Sequence, residues 1–276
     1  MESIKAFLKK RRRVLRLIQL FFWWSSAFGI EPRKFIFAVR GFPIVLKDYF
    51  GLKKQNESDG LKWNLKFSYP CLHDRYESSG TASGHYFHQD LLVARRIFTR
   101  QPVRHVDVGS RVDGFVAHVA TFRPIEVLDI RPLTTNIPNI VFRQCDLMNL
   151  PSDLVGYCDS LSCLHALEHF GLGRYGDPLD INGHLRGFDG LYKMLQQNGI
   201  LYLSFPIGTE RIEFNTHRVF AIKTVIEWAK SRFELTGFSY VDDKGDLHEN
   251  VILDDHALSD SLGLRYGCGI FEFRKV

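Results

Sequence analysis

The sequence predicts an α/β fold built on a mostly parallel sheet, and three observations carry that expectation. Residues 103–131, VRHVDVGSRVDGFVAHVATFRPIEVLDIR, place two short apolar runs on either side of one helical run. Parallel strands need a crossover of this kind, so the segment reads as a βαβ unit. Further apolar runs alternate with helical ones as far as residue 205, as in a parallel sheet covered on both faces. The tail breaks the alternation: after a helix come FELTGFSYVDD and GIFEFRKV with no helical run long enough for a crossover between them. An antiparallel pair closing one edge follows.

Taken in order, the first strand is expected over Val103–Val108, with a tight turn at Gly109 and a helix over about Val112–Phe122. Later strands are expected at Ile125–Ile130, Ile140–Cys145, Ser160–Leu164 and Ile200–Phe205. A helix over Leu185–Gln196 precedes the last of these, with Asn198-Gly199 as its C-cap. Ala221–Arg232 supplies the helix before the tail. Upstream, Gly80, Ser83 and Gly84 lead into a helix from about Tyr86 with Phe87, Leu91, Leu92, Ala94 and Ile97 on its apolar face. His85, Tyr86, His88, Gln89 and Asp90 crowd its start, where some of them could touch a ligand.

The 276 residues allow one large domain with an extension. Residues 31–50 alternate short apolar runs with turns: FIFAV, then Gly41, then FPIVL. Residues 53–62, KKQNESDGLK, read as a surface linker, dividing an N-terminal extension (1–62) from the main domain (63–276). The formal charge of +5 is concentrated: residues 1–40 carry ten Lys/Arg against Glu2 and Glu31, leaving the other 236 residues at −3. The body therefore gives no reason to expect a nucleic-acid partner. Five cysteines in no regular spacing suggest small buried hydrophobes in a reducing compartment rather than a disulfide framework.

Residues 1–30 combine KKRRR with Ile4, Phe7, Leu8, Leu15, Ile18 and Phe22 at helical spacing. The apolar run after Gln19 is 11 residues, short of the roughly 20 that span a bilayer. Such a basic amphipathic helix, rich in Phe and Trp, suits the headgroup layer of an anionic membrane. A helix docked on its own domain and a cleaved signal peptide remain open.

Acids end the first three strands of the sheet: Asp107, Asp129 and Asp146. In a βαβ sheet the carboxyl ends of the strands and the helix N-terminus share one edge, where nucleotide-like ligands bind. The acid at the end of the second strand is placed to accept hydrogen bonds from a ribose diol.

These features together resemble the Rossmann-like fold of class I S-adenosylmethionine-dependent methyltransferases. More narrowly, HVDVGSRVDGFVAHV, LSCLHALEHFGLGRYGDP and FNTHRVF look like a bacterial-type family of unassigned function grouped with those enzymes. The resemblance covers roughly Phe67 to Val276 and implies S-adenosylmethionine as cofactor. It matches Asp107, Gly109 and Ser110 to the start of the glycine-rich motif, with Gly114 sharing the backbone role. Asp129 and Ile130 match the ribose site, and Asp146 and Leu147 the adenine site. Where the usual motif has its next two glycines, this chain has Arg111 and Asp113.

The Ser162–His169 segment then faces the transferable methyl. His165 and His169 are candidate general bases, with Glu168 as orienter. Arg174 and Tyr175 in the glycine-rich loop, and Asn215, His217 and Arg218 beyond the fifth strand, are candidate acceptor contacts, Arg218 for a phosphate or carboxylate. The implied function is O-methylation of a small or glycan-linked acceptor in surface-polysaccharide metabolism, in the cytoplasm or on the inner face of the membrane. Two alternatives use the same chain: a non-catalytic nucleotide-binding module, and a zinc hydrolase built on the H-x-x-E-H of His165, Glu168 and His169. In the preferred reading no metal is assigned.

Overall fold

The computed structural model describes residues 14, 15, 18–58 and 63–276. The basic cluster of residues 9–13 lies outside them, so the expected N-terminal amphipathic helix is described only in part. Residues 18–27 are helical, and Phe21, Trp23, Trp24 and Phe28 are exposed. No helix among the described residues is long and apolar enough to cross a membrane.

The chain forms two compact units that divide at Gly80/Thr81, beyond residue 62. In the first, α1 runs unbroken over Pro32–Ser58 with Pro43 inside it, correcting both the expected turn at Gly41 and the expected linker at residues 53–58. Phe35, Val39, Phe42, Leu46 and Phe50 keep helical spacing through the two breakers, and Lys, Gln and Glu are good helix formers however polar their run looks. Gly41 is required by packing: a Cβ there would lie 1.8 Å from the Leu72 carbonyl oxygen.

The second unit is an eight-stranded sheet in the order β3-β2-β1-β4-β5-β10-β8-β9. Its strands are β1 (His105–Val108), β2 (Ile125–Asp129), β3 (Ile140–Gln144), β4 (Cys158–Leu164), β5 (Leu195–Ile207), β8 (Phe233–Val241), β9 (Leu247–His248) and β10 (Gly267–Lys275). β1 to β5 are parallel. β10 runs antiparallel between β5 and β8. The expected mostly parallel sheet with an antiparallel C-terminal pair is therefore present. A separate hairpin joins β6 (Arg211–Glu213) to β7 (His217–Val219).

Two apolar layers cover the sheet. One is built from Leu92, Val93 and Ile97 of α2 (His85–Arg100) with Phe115, Val116 and Val119 against Val127, Tyr202 and Ile270. The other sets Phe188, Leu191 and Met194 of α4 (Gly183–Met194) and Val225 of α5 (Ile222–Ala229) against Leu201, Leu203, Phe205 and Phe271. The helix after β1 opens with a π-helical turn, Val112–Val116, and continues as α3, Ala117–Ala120. Asn198-Gly199 does not cap α4. That helix ends at Met194 and the chain enters β5 directly, leaving Asn198 at φ 64° in an irregular stretch of the strand.

Because β1 and β4 are neighbours while β2 and β3 extend the other way, the chain reverses direction across the sheet between β1 and β4. A crevice opens at the carboxyl ends of the strands at such a point. Helix α2 is pinned across the sheet by buried Glu272 of β10, which meets Arg96 Nε and Arg100 Nη2, each at 3.2 Å. Glu272→Ala leaves both cations without that partner and should cost roughly 1–3 kcal/mol of stability in urea unfolding.

Candidate active site

The crevice at the strand ends is lined by Gly109, Asp129, Ile130, Arg131, Asp146, Leu147, Met148, His165, Ala166, His169, Tyr175 and Asp177, among others, and encloses about 540 Å³ including the part open to solvent. Eight of the residues expected from the sequence thus meet at one rim. Gly109 forms the floor. It holds φ 72°, donates its N–H to the Leu128 carbonyl at 2.8 Å, and a Cβ there would stand 2.8 Å from Ala166 Cβ. Only glycine combines that backbone with that approach.

Asp107 does not reach the cleft. It is fully buried, accepting the Ser110 N–H at 3.0 Å and the hydroxyls of Ser110 and Ser162 at 2.7 and 2.5 Å. Ser110 is consumed by the same contacts. Gly114 also lies away from the cleft: a Cβ there would come 2.7 Å from Asp90 Oδ2, so glycine serves the close packing of α2. Arg111 and Asp113 pair with each other at 2.8 Å on the surface, with side chains 60% and 72% exposed, and leave the cleft clear.

Asp129 and Asp146 sit side by side at the ends of adjacent strands, but both are already engaged. Asp129 Oδ1 accepts from Arg131 N and Nε at 2.8 and 3.0 Å, and Oδ2 from Arg131 Nη2 at 2.6 Å. Arg131 lies over the Tyr175 ring, 4.4 Å from its centroid. Sequence reasoning passed over Arg131, although it stands two residues from the acid it binds. Asp146 caps the turn Leu147–Asn149 through Met148 N–H at 2.9 Å and Asn149 Nδ2 at 2.8 Å. Each carboxylate has about four acceptor sites, so these bonds leave capacity for a ligand.

The two histidines of the expected H-x-x-E-H are separated by their surroundings. They do not lie on one helical face: His165 takes the left-handed backbone region at φ 51°, and only Leu167–His169 make a short 3-10 turn. His165 Nδ1 meets Glu168 Oε1 at 2.7 Å and its Nε2 faces His85 Nδ1 at 3.2 Å. Burial works against the His165 imidazolium, but Cys268 and Glu168 outweigh it and raise the pKa to about 10. His169 Nδ1 lies 2.6 Å from the Thr216 carbonyl. Arg174 Nη1 is farther from that nitrogen, at 3.3 Å, so the shorter contact decides that Nδ1 carries the proton and Nε2 the lone pair. Burial lowers the His169 pKa, and Arg174 adds to the effect against Glu168. The zinc-hydrolase arrangement, with both imidazoles on one ion, is not assembled.

Arg218 is a brace, not an acceptor contact. It is buried, and its Nη1 donates to the carbonyls of Glu168 and Phe170 at 3.2 and 2.7 Å, its Nη2 to Ile181 at 3.1 Å. A guanidinium spent on the 168–181 loop has no fork left for a phosphate. Arg174 donates to the Thr216 carbonyl at 3.0 Å. Asn215 is exposed in the β6–β7 turn, and His217 stacks near Tyr266 with centroids 5.1 Å apart. Of the expected acceptor residues, Tyr175 alone lines the cleft.

Residues 138–253, less than half of the chain, match the family described as "Caenorhabditis protein of unknown function, DUF268". No curated protein matches the chain. Among solved structures it is similar to the 1,6-didemethyltoxoflavin-N1-methyltransferase of Burkholderia thailandensis with bound S-adenosylhomocysteine, at 12% identity and TM-score 0.47, covering 68% of this chain and 78% of that one. It is similar also to the N-methyltransferase NodS of Bradyrhizobium japonicum in complex with S-adenosylhomocysteine, at 14% identity and TM-score 0.47, covering 70% and 88%. A third is the [4+2]-cyclase SpnF, at 15% identity and TM-score 0.48, covering 77% and 86%.

Asp107 gives a direct check on the floor of the site. Burial raises its pKa to about 7 against the hydrogen bonds from Ser162 and Ser110 that lower it, with Asp90 adding repulsion. Its folded pKa lies above the unfolded value of about 3.9, so its contribution to stability is fullest below pH 4 and is lost as pH rises to about 7. Asp107→Asn should flatten that part of the stability profile, read as the difference between wild-type and variant urea midpoints across pH 4.5–7.5.

Proposed function

We propose that the chain is an S-adenosylmethionine-dependent methyltransferase. The observation that carries this reading is the meeting of Asp129 and Asp146, at adjacent strand ends, with the Gly109 floor in one cleft. Asp129 would take the ribose hydroxyls, Asp146 and Leu147 the adenine, and the Gly109–Ala166 approach leaves room for the methionine part. When bound, this cofactor supplies an electrophilic methyl on a sulfonium. The chain's task is then to align an acceptor and remove its proton.

His169 is the residue suited to that task. It lines the cleft, Thr216 fixes its tautomer, and burial with Arg174 keeps it neutral, so Nε2 can receive the acceptor proton. His165 is locked between Glu168 and His85 and serves to position rather than to take up a proton. A hydroxyl acceptor, small or glycan-linked and belonging to surface-polysaccharide metabolism, follows from the family resemblance and from a histidine base; Tyr175 offers it a ring to rest on. A second reading, a nucleotide-binding module without transfer chemistry, uses the same cleft, in which Arg131 competes with a ribose for Asp129.

Calorimetry separates the two. The full chain should bind S-adenosylhomocysteine, Asp129→Ala should weaken binding by roughly 10–100-fold, the loss of hydrogen bonds to a charged group, and Arg131→Ala should tighten it. Absence of binding at millimolar ligand removes the methyltransferase reading.

We further propose peripheral attachment to the cytoplasmic face of a membrane, supported by the basic cluster in the sequence and by exposed Phe21, Trp23, Trp24 and Phe28. Replacing Trp23 and Trp24 by Ala in the full chain should release it from co-sedimentation with phosphatidylserine vesicles. Unchanged partitioning rejects the attachment.

A further inference from the structure

Three side chains remote in sequence converge beside the cleft. His85 opens α2, His165 follows β4 and Cys268 lies in β10, yet their ligating atoms are all within 4.8 Å of one another. Cys268 Sγ lies 3.7 Å from Gln89 Oε1 and 3.8 Å from the Gly269 carbonyl. We propose that His85, His165 and Cys268 form a binding site for a divalent cation of the zinc class.

The spacing fits. Zinc–nitrogen bonds of about 2.0–2.1 Å in a tetrahedral arrangement set two nitrogens about 3.3 Å apart, and His85 Nδ1 and His165 Nε2 stand at 3.2 Å. One thiolate with two imidazoles selects zinc or cobalt over magnesium or calcium, which require oxygen ligands. Three protein ligands leave a fourth position open.

The outer layer fits as well. Metal-bound histidines hand their second nitrogen to a carboxylate or a backbone carbonyl, which fixes the ring and strengthens the ligand. His165 Nδ1 has Glu168 Oε1 at 2.7 Å. The His85 ring stacks on that of Tyr266, with centroids 5.3 Å apart. Glu168 is buried, its first oxygen bonded to His165 and its second without a hydrogen-bond partner among the described residues, so its charge can offset a cation held at His165. A dication with the Cys268 thiolate and the Glu168 carboxylate sums to zero charge. Its binding displaces one proton from the imidazole pair and one from the thiol. His165 also keeps a left-handed backbone that a side-chain-bearing residue seldom adopts, and this aims its ring at His85.

The competing account is a proton shared between the two imidazoles, with the thiol as filler. The site rests on these three side chains and not on the methyltransferase reading; it stands or falls whether or not S-adenosylhomocysteine binds. Cobalt(II) titrated into the metal-free full chain should bind at one equivalent, with tetrahedral d–d bands and a thiolate-to-cobalt charge-transfer band. Cys268→Ser should abolish the charge-transfer band, and Glu168→Gln should weaken binding by about 10–100-fold. Cys71→Ser removes the exposed thiol beside Asp74 of the second cluster, His73, Asp74 and Glu77, and should leave the band intact. Zinc should raise the melting temperature of the wild type and not that of His85→Gln, which serves if Cys268→Ser does not fold. A wild-type chain without the band, a band that survives Cys268→Ser or depends on Cys71, or equal zinc stabilisation of His85→Gln overturns the proposal.

Discussion

The buried carboxylate of Asp107 holds the working edge of this protein together. It ends β1 beneath the turn, accepts the backbone and hydroxyl of Ser110, and reaches across to the Ser162 hydroxyl of β4. Those bonds fold the turn back on itself so that Gly109 can rest against Ala166. They also tie β1 to the strand that carries His165, Glu168 and His169. A buried acid is costly unless its oxygens are satisfied, and here the satisfaction of one group defines the turn, the spacing of two strands and the floor of the cleft.

From that floor the two imidazoles of one short motif acquire different characters. His165 is boxed in by Glu168, His85 and the Cys268 sulfur. His169, four residues on, donates its Nδ1–H to a carbonyl, and its Nε2 stands 3.6 Å from Glu168 Oε1 at the wall of the cleft. The difference arises from partners supplied by distant elements, α2 and β10 for the first and the β6–β7 turn for the second. The motif sets the spacing; the sheet decides the chemistry.

The parallel core was legible because its strands are short apolar runs closed by acids, and because such strands need crossovers. Asp129, Asp146 and Gly109 could be placed at the rim from their position after a strand alone. Asp107 looked the same in sequence, yet it is turned inward by two serines whose hydroxyls nothing in the pattern announces. Arg218 followed a strand and carried a charge, the usual marks of a ligand contact, but the carbonyls it binds belong to a loop 37 to 50 residues away. Gly41 read as punctuation when the helix had apolar spacing enough to pass through it and Pro43. His85 and Cys268 were each unremarkable, one near a helix start and one in an apolar strand. Their meeting is a product of topology, which local pattern does not encode.

The placement of β10 bears on how the sheet is made. It follows every other described strand in the sequence, yet it sits inside the sheet, hydrogen-bonded to β5 on one side and β8 on the other. Until residues 267–275 have emerged from the ribosome, β5 and β8 have no bond to each other and each shows a bare edge. Assembly of the second half therefore waits for β10, and chains pass through an interval in which two unpaired strands are open to capture by a chaperone or by one another.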